Sequence, residues 1–180
     1  MKSILRYTAA GLALASVGFA SNASAATFDD AQVKAEILST LKIVAVSGDS
    51  LLDFGQIAPN AGMSGTSTVT IAAATGALTC GATLTCSGTN ANPSFTISGL
   101  SGSTVAVTIP AGASLLGPAT VPAGMTNTMS VGTITTDLAA NPVILTTGSK
   151  TFNLGGTLTV AANQVPGVYV GTLTLSVAYN

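Results

Sequence analysis

The sequence predicts an all-β protein folded as a two-sheet sandwich. Three observations predict it. Short runs alternate apolar residues with threonine or serine, the period of a half-buried strand. Glycine, proline and asparagine clusters break these runs at near-regular spacing. The 180-residue chain is of single-domain length, with no internal repeat and no linker dividing it.

The elements follow in order. Lys2 and Arg6 give a positive start, an apolar run extends from Ala9 to Ala20, and Ala23-Ser24-Ala25 ends the segment. This reads as a secretory signal peptide over residues 1–25, cleaved after Ala25. The run is too short for a membrane span, which needs roughly 20 apolar residues. The mature chain is therefore expected to be exported and soluble or surface-held. Residues 26–46 form an N-terminal extension and first strand, and residues 47–180 form the sandwich domain.

Within the extension, Ala31, Val33, Ala35 and Ile37 alternate with polar residues and share one face of a strand. As a helix, Val33, Ile37 and Leu41 also align, with Asp29 or Asp30 as cap. The run Leu41-Lys42-Ile43-Val44-Ala45-Val46 favours strand. Further strands are read at 51–57, 68–71, 94–97, 104–109, 151–154 and 157–160, where β-branched residues suit a pleated surface. Turns fall at 59–62, 90–93, 110–112 and 163–167.

After the leader, the basic residues are Lys34, Lys42 and Lys150 and the acids are Asp29, Asp30, Glu36, Asp49, Asp53 and Asp137. The net charge is 3 − 6 = −3, which makes nucleic acid a poor partner. From Gly55 onward only Asp137 and Lys150 are charged. So neutral a surface suits a subunit that packs into an assembly, since charge normally keeps monomers apart. Cys80 and Cys86 in an exported chain favour a disulfide, read here as a hairpin staple. Metal binding needs more ligands, and the chain has no histidine.

Catalytic chemistry is not legible. Without histidine there is no His-based acid–base pair or Ser–His triad. No phosphate-binding or dinucleotide-binding glycine motif occurs. Asp49 and Asp53 offer too few oxygens for calcium and are read as flanking a turn. A glycosidase-type carboxylate pair would have to bridge distant segments. The expectation is a non-enzyme with no cofactor and no metal.

The last stretch is the cleanest period-two strand. Tyr169, Leu173, Leu175, Val177 and Tyr179 lie on one face, with small or polar residues between them from Thr172 onward. An immunoglobulin-like sandwich normally covers such a strand with a neighbour. Left uncovered, it borders an apolar groove that strand addition from another chain would fill.

Tyr179 is penultimate and Gly167 lies twelve residues before it. This resembles the end of chaperone–usher pilus subunits. Leu52-Asp53-Phe54-Gly55, Phe95-Thr96-Ile97-Ser98-Gly99, Phe152 to Leu158 and Gly167 to Thr172 are similar, in order, to features of a bacterial surface group, the domain-of-unknown-function 4402 family. The resemblance implies a pilin-like, incomplete sandwich and a fimbrial subunit polymerising with copies of itself or related subunits. It implies a periplasmic chaperone and an outer-membrane usher as further partners. It also implies subunit or chaperone contacts at Gly167, Tyr169, Leu173, Leu175, Val177 and Tyr179, with Ala31, Val33, Ala35 and Ile37 as donor strand. The other expectation is a secreted adhesin-like module binding carbohydrate or a surface ligand. Its weakness is the ring supply: four phenylalanines and two tyrosines after the leader, and no tryptophan.

Overall fold

The structure, a computed structural model, describes residues 35–46 and 50–180. The chain divides between Glu36 and Ile37, and every described strand lies in the unit from Ile37 to Asn180. The leader at 1–25, the donor positions Ala31 and Val33, and Asp49 lie outside the described residues.

The described elements are all strands: β1 (Lys42–Ala45), β2 (Gln56–Pro59), β3 (Thr66–Ile71), β4 (Leu78–Cys80), β5 (Leu84–Ser87), β6 (Ser94–Ser98), β7 (Thr104–Thr108), β8 (Gly112–Leu116), β9 (Thr128–Thr136), β10 (Val143–Ile144), β11 (Ser149–Ala161) and β12 (Ser176–Tyr179). The larger layer runs β1-β6-β11-β3-β4, with β9 joined to β11 and β8 joined to β9. All its pairings are antiparallel. The opposing layer is in two pieces, β10-β7-β12 and β2-β5. The expected all-β sandwich is present, with its second layer split.

Strand β11 is the spine. The sequence suggests two strands here, separated by Gly155-Gly156, but the chain continues as one. The glycine explains why. A Cβ on Gly155 would collide with the backbone of Ile71 and Ala73, so glycine lets β3 approach closely. Opposite this point β9 carries an extra residue. Its register with β11 shifts between Gly155 and Thr157, and Thr133 adopts a positive φ of 47°, as in a β-bulge.

Two cores sit on the two halves of β11. Leu158 and Val160 pack with Phe54, Val69, Ile71 and Leu84 under β2-β5. Phe152 and Leu154 pack with Ile97, Val105, Val107 and Leu145 under β10-β7-β12. Asn141 supports the second piece. Its side-chain amide accepts from the Val107 N–H (3.1 Å) and donates to the Val107 carbonyl (2.8 Å), as a paired strand would.

Cys80 and Cys86 are bridged, but the bridge is not a hairpin staple. Strand β4 pairs with β3, whereas β5 pairs with β2. The chain turns out of the larger layer after Cys80, held by the Leu84 N–H donating to the Gly81 carbonyl. The disulfide therefore ties the layers together. Because the closed loop is short, replacing both cysteines with alanine is expected to cost about 2 kcal/mol. Urea denaturation should show a lower midpoint with the fold retained.

The terminal strand is shorter than expected. Only Ser176–Tyr179 forms a ladder, with β7, and Val170 makes a single bridge with Leu116. Residues 171–175 form no backbone–backbone hydrogen bond among the described residues. The alternation nonetheless survives: Tyr169, Leu173, Leu175, Val177 and Tyr179 are half-buried, and Val170, Thr172, Thr174 and Ser176 are exposed. The side-chain period was legible, but the pairing fails because the partners run out. The β7 ladder stops at Thr108 and the β8 bridge is confined to Leu116.

Candidate functional site

The gap between the two pieces of the split layer is an apolar groove with two adjoining lobes. One lobe, of about 260 Å³, is lined by Phe95, Ile134, Leu154, Leu173 and Leu175. The other, of about 450 Å³, is lined by Ile57, Met129, Leu158, Gly167 and Val168. Leu51, Leu52, Phe54, Leu115, Tyr169 and Val170 border both lobes and mark where they meet.

Two extended segments form the walls. Along residues 50–55 the only backbone–backbone bonds among the described residues are those Asp53 exchanges with Ala91, at 2.8 and 2.9 Å. The Asp53 carboxylate accepts the Gly55 N–H at 2.8 Å, and Gly55 takes a φ of 70°, so Asp53 acts in a turn. The opposite wall is 167–175, where residues 171–175 are unpaired along the backbone. Both walls thus carry free donors and acceptors beside apolar side chains. Buried backbone groups are nearly always satisfied, so an extended peptide laid here would gain main-chain hydrogen bonds and side-chain pockets together.

Tyr169 is held firmly at the junction. Its hydroxyl donates to the Val165 carbonyl at 2.7 Å. Its ring lies over Gly117, where an added Cβ would overlap it. Next to this wall, Pro118 fills the space where Gly167 lacks a Cβ.

The structure divides the residues expected at this site. Gly167, Tyr169, Leu173 and Leu175 line the groove. Val177 and Tyr179 do not; they pack on the second core. The Tyr179 hydroxyl accepts from the Leu100 N–H and donates to the Ser39 carbonyl, both at 2.8 Å. It clamps the pole of the fold where the chain enters β1. Of the donor positions, Ala35 and Ile37 are exposed and in no strand, and Ile37 is 94% exposed.

Sequence reasoning missed most of the other wall and the floor. Leu52 and Phe54 enter the sequence reading only within a strand and a motif, and Leu51, Leu154 and Ile134 are not among its site residues. The one available signal was the Leu51-Leu52 doublet, which breaks the period of two. Among the described residues no three His, Cys, Asp or Glu side chains lie close enough to share a metal ion.

Residues 44–179 match the family model for a domain of unknown function (DUF4402). No curated protein and no solved structure matches the chain.

Proposed function

The chain belongs to the DUF4402 family, and on that premise and the geometry of its groove we propose that it is a structural subunit of a bacterial surface fibre, assembled by β-strand donation between copies. One observation carries the reading. An apolar groove lies between two extended walls, and both walls have backbone that is unpaired among the described residues.

The donor is the segment around Ala31–Ile37 of a neighbouring copy. Val33, Ala35 and Ile37 run large, small, large at alternate positions. The groove runs lobe, junction, lobe, with Tyr169 at the junction. The direction of β1 favours a neighbour as acceptor. The chain enters β1 at the Tyr179–Ser39 pole, and β1 then runs to Ala45 opposite Phe95, a groove residue. The described start of β1 thus lies at the pole away from the groove, and the donor proposed here is that of a second copy. A head-to-tail contact of this kind does not close on itself and extends as a filament.

Export through the leader, a periplasmic chaperone that covers the groove in transit, and an outer-membrane usher complete the proposal. An open groove beside unpaired strands is an aggregation hazard, which is the physical reason for a chaperone. The binding-module alternative has less support. Among the described residues Phe54 and Phe152 are buried and Phe95, Tyr169 and Tyr179 half-buried, which leaves few ring faces there for a sugar.

The test is a charge in the groove. Leu173→Asp places a carboxylate where a donor side chain would sit, at a position already half-buried at the surface. The variant should fold, show native circular dichroism, and lose the SDS-resistant ladder formed by the unmodified protein. A ladder of unchanged intensity would remove the groove from the assembly.

A further inference from the structure

The outer face of the larger layer is a second surface that the groove does not use. On β3, Thr66, Thr68 and Thr70 point away from the fully buried Val69 and Ile71. Cross-strand register extends this pattern into rows. Thr79, Thr70, Thr157, Gly132 and Gly112 form one row over five strands. Thr68, Thr159, Ser130 and Ser114 form the next. The hydroxyls of Thr70 and Thr157 lie 3.0 Å apart. Neither row contains a charge. Beside them, Leu116, opposite Thr128 on the same face, is 58% exposed.

We propose that this face packs against the same face of a second copy and so bundles fibres side by side. The inference rests on the fibre reading for its setting, though its chemistry is independent of the groove. A hydroxyl is both donor and acceptor, so two identical hydroxyl faces complement each other, as two identical charged faces cannot. From Gly55 to Asn180 the only charges are Asp137 and Lys150, so like-charge repulsion is nearly absent. The glycines keep the relief low. Leu116 supplies apolar contact at one margin.

Size decides how the contact works. Five strands at ~4.8 Å and three alternate residues at ~3.3 Å per residue cover on the order of 300–400 Å² on each copy. That is about half the ~800 Å² per partner of a stable complex. One contact is too weak to hold, whereas contacts repeated along two fibres add through avidity.

The test uses the full mature chain with Thr68→Lys and Ser130→Lys, two exposed positions on β3 and β9. By electron microscopy the unmodified protein should form bundles. The double variant should form the same SDS-resistant ladder, with the bundled fraction down about tenfold. Beads densely coated with each protein give a readout that needs no fibres: unmodified beads should clump and variant beads stay dispersed. Bundling or clumping unaffected by the lysines, or its absence in the unmodified protein, overturns the inference and leaves the groove untouched. Clumping beads without any ladder would support this face while contradicting strand donation.

Discussion

Deleting residues 26–37 is expected to convert the protein from a polymer ladder to a folded monomer. The deletion removes Ala31, Val33, Ala35 and Ile37 together and leaves every described strand in place. The larger layer, both cores and the disulfide lie within the unit that starts at Ile37. Circular dichroism should therefore stay native while SDS-resistant species disappear. The effect is all-or-none because a subunit without a donor cannot extend a chain, however intact its groove. Mixed with unmodified protein, the deletion variant should cap growing ends and shorten the ladder as its proportion rises. An unshortened ladder would place the donor elsewhere.

The largest expected effect on stability is at Phe152. Its side chain is 1% exposed and lies on the central strand β11. Its ring centroid is 5.9 Å from that of Phe95, with the planes tilted by 30°. Phe152 and Phe95 are also direct register partners in β11 and β6. Phe152→Ala removes a buried ring from a site that the sheet holds open, and should cost about 3–5 kcal/mol. Domains of this size are stable by only about 5–15 kcal/mol, so the urea midpoint should drop steeply. Phe95 would also lose its neighbour at the groove wall, so assembly should weaken along with stability. A loss under 1 kcal/mol would mean the second core is not built around this ring.

Much of the fold was legible because its signals are local. Thr68-Val69-Thr70-Ile71 and Ser94-Phe95-Thr96-Ile97 alternate cleanly, and they became β3 and β6. Strands β8 and β9 were not seen. In β9 Met129 and Val131 alternate with Thr128 and Ser130, but the extra residue at Gly132-Thr133 throws Ile134 out of that period, and in β8 the Leu115-Leu116 doublet blurs it. The glycine pair at 155–156 looked like a break for a related reason. Glycine is poor in strands unless another backbone comes close, and only the tertiary fold brings β3 to Gly155.

The site was half legible. Tyr169, Leu173 and Leu175 belong to one sequential run whose period could be read directly. The facing wall at Leu51 and Leu52 and the floor at Leu154 come from distant parts of the chain. No spacing rule joins residues 52, 154 and 173. Tyr179 shows what the period leaves out. Its alternation with Leu175 and Val177 was correctly read, but its hydroxyl is used inside the subunit, on Leu100 and Ser39. Alternation identifies which face a side chain is on; it does not say what covers that face further along the strand. The disulfide itself was read correctly, but its setting in a hairpin was not. The six-residue separation of Cys80 and Cys86 was visible, whereas their membership of different sheets was not.

If a neighbour's N-terminal strand fills the split layer, a synthetic peptide of residues 26–41 should bind the subunit that lacks residues 26–37. Nuclear magnetic resonance titration reads this directly. Shifts should be confined to the groove, at Leu52, Phe95, Tyr169, Leu173 and Leu175, with new slow-exchanging amides at 171–175. A peptide that leaves those amides unprotected, or that perturbs another face, would contradict strand donation as the principle of assembly.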